Sequence, residues 1–239
     1  MKFLLKPPSQ EDFSTLLGAW RAWILSVLLG ALIGAGVYAV FPPPYRAEAT
    51  VVVDFNLEEA WPENTDRDMF YYLERETRKL MELAWSDPVL ETVAAQVGGI
   101  TVGELRNEKL NLSQPREAGW HLWADDTDPE RAQQLASAWA LAFADRVRDA
   151  VSVELELQAL RAASQSGQTC VPDLQARIAN LEAHAAGINA YIEVNPSQIT
   201  GLPITRRTGL GTYVLAGAFA CFTLMVFLVL FVNRKQGSR

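Results

Sequence analysis

The chain has 239 residues, 49% of them hydrophobic and 21% charged, with a formal net charge of −7. Apolar and charged residues are segregated: two charge-free runs lie near the ends, and residues 42–212 between them hold 15 of the 21 basic and 26 of the 28 acidic residues, a balance of −11. So acidic a stretch repels phosphate instead of displacing its counterions, which argues against nucleic acid as a partner.

Residues 1–21 read as a short arm carrying Lys2, Lys6 and Arg21, with Trp20 and Trp23 where an interfacial aromatic belt falls. Residues 22–41 (AWILSVLLGALIGAGVYAVF) and 213–232 (YVLAGAFACFTLMVFLVLFV) each run 20 residues without a charge. That is enough to cross a hydrocarbon core of about 30 Å. A cleavable signal peptide is the rival for the first run, since Val37-Tyr38-Ala39 offers small residues to a peptidase. The run is longer than a usual signal core, however, and its loss would leave the second span without its partner. Basic residues before the first span, and Arg234, Lys235 and Arg239 in the tail 233–239, place both termini in the cytoplasm and residues 42–212 outside it. In the first span Ser26, Gly30 and Gly34 recur every four residues, a face that admits another helix closely; Gly217 and Cys221 of the second span are the expected counterpart. Cys170 lies outside the spans and Cys221 inside one, so the two cannot pair.

Pro42-Pro43-Pro44 ends the first span, and residues 47–56 (AEATVVVDFN) read as a strand rich in β-branched residues. After a polar loop, residues 68–85 place Phe70, Leu73, Leu80 and Leu83 among charges as an amphipathic helix. A shorter helix restarts at Asp87-Pro88 and stops at Gly98-Gly99. Thr101 and Glu104 form a capping-box pattern, and brief strands follow at 110–114 and 120–124.

The segment 128–168 is the longest helical pattern. Asp128 suits the N-cap, Pro129 the first helical position and Glu130 the positive end of the dipole. Leu135, Trp139, Phe143, Val147, Ala150, Val153, Leu157 and Leu160 then recur at threes and fours. At 1.5 Å per residue the helix reaches roughly 60 Å, more than a small domain covers, so part of its stripe should meet another helix or another protomer. The alternation Val151, Val153, Leu155, Leu157 offers a strand as rival, but no Gly or Pro breaks the helical phase there.

Beyond Pro172 the residues Leu174, Ile178, Leu181, Ala185, Ile188 and Ile192 form a short heptad seam, either folding back on the long helix or packing between protomers. Asn195-Pro196 ends it, and residues 197–205 run extended toward the second span. Pro203, Arg206 and Arg207 precede that span, the arginines placed to snorkel, to meet lipid phosphates or to pair with a neighbouring protomer. The fold class expected is therefore α+β. Two transmembrane helices flank an extracytoplasmic α/β domain with a small sheet, a long helix and a shorter heptad helix.

Chemistry is sparse. There is no phosphate-binding glycine loop, no zinc spacing and no nucleophile elbow. His121 and His184 each stand alone. Asp125, Asp126, Asp128 and Glu130 lack the glycine and distal glutamate of a calcium loop, and helix capping explains them better. Trp61, Trp120 and Trp123 have faces that sugars can stack on, though tryptophans on a strand are more often core. No enzyme, cofactor or metal is expected.

Four stretches together resemble the chain-length determinant (Wzz-type) family of polysaccharide co-polymerases, in its short form without a kinase domain. They are the first span followed by Pro44-Tyr45-Arg46-Ala47-Glu48-Ala49-Thr50-Val51-Val52-Val53; the run Ala124 to Ala132 with Asp128-Pro129, continuing into Leu135, Trp139 and Phe143; the helical return; and a second span with small residues at Ala216, Gly217 and Ala220. The proline-rich segment before the second span is thinned to Pro196 and Pro203, with Arg206-Arg207 following. The resemblance implies a non-enzymatic, homo-oligomeric regulator of surface polysaccharide length in the inner membrane, working with an integral-membrane polymerase or export machinery. Its structural residues would be Asp128, Pro129, Leu135, Trp139, Phe143, Pro203 and Gly217. A membrane activator of a separate cytoplasmic tyrosine kinase is the alternative within the family, which the seven-residue tail disfavours. A two-span extracytoplasmic sensor subunit is the alternative outside it.

Overall fold

The computed structural model describes residues 18, 20–60, 66–113, 119–165, 172–199 and 204–236. Most of the N-terminal arm, Trp61, Cys170, Pro203, residues 237–239 and the side chain of His184 lie outside what it describes. The chain divides into two compact units, one of Met1–Pro43 with Arg206–Arg239 and one of Pro44–Thr205.

The first unit is a pair of helices, α1 (Trp20–Val40) and α8 (Leu210–Gln236), both long and apolar enough to cross a membrane. They meet through small residues. A Cβ on Gly30 would lie 2.8 Å from Cys221 Cβ and against the backbone of Gly217, one on Gly34 would strike Tyr213, and one on Gly217 would fall 3.0 Å from Gly34 N. Glycine is thus what lets the two backbones touch. Ser26 Oγ adds a 2.8 Å hydrogen bond to the Cys221 carbonyl, Trp23 packs on Phe222, and Tyr38 meets Tyr213 edge to face.

The second unit is a sheet with helices on one face. Strands β1 (Tyr45–Asp54), β2 (Leu110–Leu112), β3 (Gly119–Asp126) and β4 (Glu193–Ile199) lie antiparallel in the order β2-β3-β1-β4. The helices are α2 (Leu57–Ala60), α3 (Asp66–Ala84), α4 (Asp87–Val97), α5 (Val102–Glu104, running into a π-turn at Leu105–Lys109), α6 (Pro129–Gln165) and α7 (Pro172–His184). Alternation sets the inner face: Ala47, Ala49, Val51 and Val53 of β1 and Trp120, Leu122 and Ala124 of β3 are all buried. Against them α6 lays Leu135, Trp139 and Phe143, with Phe143 stacked on Trp120 at 5.8 Å. Trp139 sits at 4.9 Å from Trp85 and donates from Nε1 to the Ala84 carbonyl at 2.9 Å, which ties α6 to the end of α3.

Local signals explain several boundaries. Thr101 and Glu104 make both hydrogen bonds of a capping box. Asp128 Oδ1 accepts from the Glu130 amide at 3.0 Å, with Pro129 as the first helical residue. α4 ends where Gly98 and Gly99 take φ of +74° and +62°, a region open to glycine, and Arg131 Nη2 satisfies both of their carbonyls. Val151 to Leu157 is helix, as its phase predicts.

Three expectations are corrected. In α3 the buried row is Tyr72, Glu76, Leu80, Leu83 and Ala84, whereas Phe70 is exposed. Leu80 and Leu83 are buried as predicted and Leu73 is half-buried, but Tyr72 and Glu76 share the inner face in place of Phe70. The heptad seam stops at His184: Ile188 and Ile192 are not helical but buried core residues of the segment leading into β4. Gly187 turns the chain there with φ +63°. Asn195-Pro196 does not end a helix either, but lies inside β4, next to the register shift at Thr50/Val51. A proline fits there because β4 is an edge strand, whose outward amide has no ladder partner to lose.

Candidate functional site

The predicted candidates separate into four places. Asp128, Pro129, Leu135, Trp139 and Phe143 belong to the start and core face of α6. Leu174, Ile178 and Leu181 are half-buried on α7, and α6 of the same chain is the helix against which α7 packs. Arg161 pairs with Glu182 at 2.7 Å and Arg177 with Glu156, while Leu157 is fully buried. Of the two arrangements open to the seam, the intramolecular one is thus found. Gly30, Gly34 and Gly217 form the α1–α8 contact. Arg206 donates from Nη1 to the Pro43 carbonyl at 2.9 Å, its guanidinium 5.7 Å above the Tyr38 ring, and Arg207 is exposed.

The acidic cluster dissolves into separate tasks. Asp128 caps α6. Asp125, buried, binds Arg46 through two hydrogen bonds of 2.7 Å, the forked geometry in which guanidinium and carboxylate match best. The Asp125 carboxylate holds the Arg46 guanidinium above its ordinary pKa, outweighing the opposing effect of burial. Asp126, also buried, accepts from Lys109 Nζ at 2.8 Å and from the Asp128 amide at 3.0 Å. Burial pushes the Asp126 carboxyl up, but those hydrogen bonds and the charges of Lys109 and Arg131 carry it below the usual carboxylate value. Among the described residues no group of three or more His, Cys, Asp or Glu is arranged to hold a metal ion.

The sheet face away from α6 carries the most chemistry. Arg46, Glu48 and Thr50 of β1 stand opposite Asp125, Trp123 and His121 of β3 in register. Arg46 lies 5.4 Å over the Trp123 ring, His121 runs parallel to Trp123 at 14°, and His121 Nδ1 meets Glu48 Oε1 at 2.5 Å. Trp123 is half-buried on this open face, whereas Trp120 is closed into the core. The alternation of β1 shows that Arg46 and Glu48 leave the core, but pairing them with residues some 75 positions away required the register.

A second polar cluster was not anticipated. Glu76 is 1% exposed, yet it accepts from Lys79 Nζ at 2.8 Å, from Arg75 at 3.2 Å and from the Asn189 amide at 3.3 Å. Lys79 also donates to the Gly187 carbonyl. The pair clamps the turn that ends at β4. Beside it the Tyr72 hydroxyl is pushed up to about 12 by burial and by the charge of Glu76. A charged residue within an apolar stripe was the available signal. These clusters hold structure together and contain no nucleophile–base pair. No protein-family model matches the chain, and no curated protein matches it.

Proposed function

We propose that the protein is a non-enzymatic membrane protein whose α/β unit lies outside the cytoplasm, self-associates, and regulates how far a partner polymerase extends a surface polysaccharide. The observation that carries this reading is the order of elements: a membrane-length helix, a one-sided α/β unit with a 37-residue helix, and a second membrane-length helix. Most of the burial on α6 falls between Ala132 and Ala150, and beyond Ala150 only Leu157 is buried, with Leu155 exposed. The far half of α6 and α7 thus offers a flank to a second copy. The two helices at the ends would hold every copy in one orientation, which favours closed assemblies. Basic residues outside both spans support cytoplasmic termini. The test is the length distribution of the host's surface polysaccharide on a gel, with the gene deleted and then restored. The reading expects a scrambled or shortened distribution that restoration repairs; an unchanged distribution removes length control as the function.

A second reading, a two-span sensor subunit, is favoured by one observation: a half-buried tryptophan with arginine, histidine and glutamate on the open sheet face. It expects saturable binding of a small ligand by the full chain in detergent, abolished by Trp123→Ala, and no effect on polymer length.

A further inference from the structure

We propose that the groove between α1 and α8 holds one acyl chain of an anionic phospholipid, whose headgroup phosphate is met by Arg21; this rests on both helices spanning a bilayer. Beside the tight contact through Ser26, Gly30 and Gly34, the two helices leave a groove of about 390 Å³. Its walls are Ala22, Leu25, Ser26 and Leu29 of α1 and Cys221, Leu224, Met225 and Leu228 of α8.

The walls select hydrocarbon over a third helix. Close helix association in a membrane uses small residues, and the glycines Gly30, Gly34 and Gly217 already face one another. Besides the small Ala22, Ser26 and Cys221, the walls are branched Leu and flexible Met, which mould to a chain with no fixed shape. Nothing polar is offered for a partner to bind, because the groove's one hydroxyl, Ser26 Oγ, donates to the Cys221 carbonyl.

The mouth selects the headgroup. Arg21 precedes Leu25 by four residues and so shares its face of α1, one turn nearer the helix start. Side chains on a helix lean toward its N-terminus, which carries the guanidinium beyond the groove and toward the interface. It lies 5.5 Å over the Trp20 ring, leaving its fork of donors for a phosphate. A zwitterionic headgroup offers a phosphate too, but with its own ammonium competing for it, so the cation favours an anionic lipid.

The experiment uses the full chain in nanodiscs of phosphatidylcholine with a minority of phosphatidylglycerol, released into mild detergent and weighed intact by native mass spectrometry. The wild type should retain one phosphatidylglycerol. Ala22→Phe on α1 and Leu228→Trp on α8, two independent fillings of the groove, should each reduce retention on the order of tenfold, as losing the burial of about two methylenes would. Arg21→Gln should keep a lipid but lose the preference for phosphatidylglycerol over phosphatidylcholine. Retention equal to wild type in both filled variants, or preference unchanged in Arg21→Gln, overturns the proposal. If alkaline carbonate strips the wild-type chain from cell membranes, the spanning reading fails and takes this one with it. A chain that stays in the membrane but retains no lipid refutes this proposal alone.

Discussion

Asp126 shows how one side chain couples the sheet to the long helix. It ends β3, binds Lys109 and receives the amide of Asp128, the residue that caps α6. Its folded pKa lies below the unfolded value of about 3.9, so its contribution is full above that pH and is lost as pH falls through the folded pKa. Asp126→Asn should cost about 1–3 kcal/mol at pH 7 and flatten the loss of stability below pH ~4. Denaturant titrations of the detergent-solubilised protein at both pH values check this. Trp139→Phe keeps most of the ring volume but leaves the Ala84 carbonyl without its indole donor, and should cost about 1–3 kcal/mol by the same measurement. At this scale the caps were legible, because Asp128-Pro129 and Thr101 with Glu104 act within three residues. Glu76 was not, because the Asn189 amide it accepts from, and the Gly187 carbonyl that its partner Lys79 reaches, are more than 100 positions away.

The helices and strands were legible wherever one period ruled. The segment after α7 was misread because two periods share residues. Ile188 and Ile192 continue the heptad of Leu174, Ile178 and Leu181, yet with Ala190 and Val194 they also alternate by two, and all four are buried. Gly187 decides between them, since its positive φ breaks the helix before the strand. Gly187→Ala should therefore destabilise the α7–β4 turn by about 1 kcal/mol through strain alone, since a Cβ there meets nothing. Leu157→Ala should cost about 2–5 kcal/mol, because that side chain is fully buried. In the other unit Gly217→Val drives a branched side chain into the Gly30 and Gly34 backbones, and the thermal midpoint of the solubilised protein should fall.

For the whole molecule, the order of elements could be read from hydropathy and turn residues, because each element carries its own local pattern. Topology is open to a direct test. Ser152, exposed on α6, changed to Cys in a Cys170→Ser background should react in intact cells with a thiol reagent that cannot cross membranes. A cysteine at Ser9 should not react until the membrane is opened.

The hydrogen bond from Arg206 to the Pro43 carbonyl has a consequence for how such a chain could be rebuilt or could have arisen. It brings together the two points where the α/β unit departs from and rejoins the helical pair, so that unit is an insertion whose cut ends already lie side by side. The intervening residues could be excised and the ends spliced with a few glycines, leaving a self-standing helical hairpin. Equally, a different folded body with neighbouring termini could be grafted at the same seam, the arginine serving as the clasp of a socket that accepts exchangeable heads.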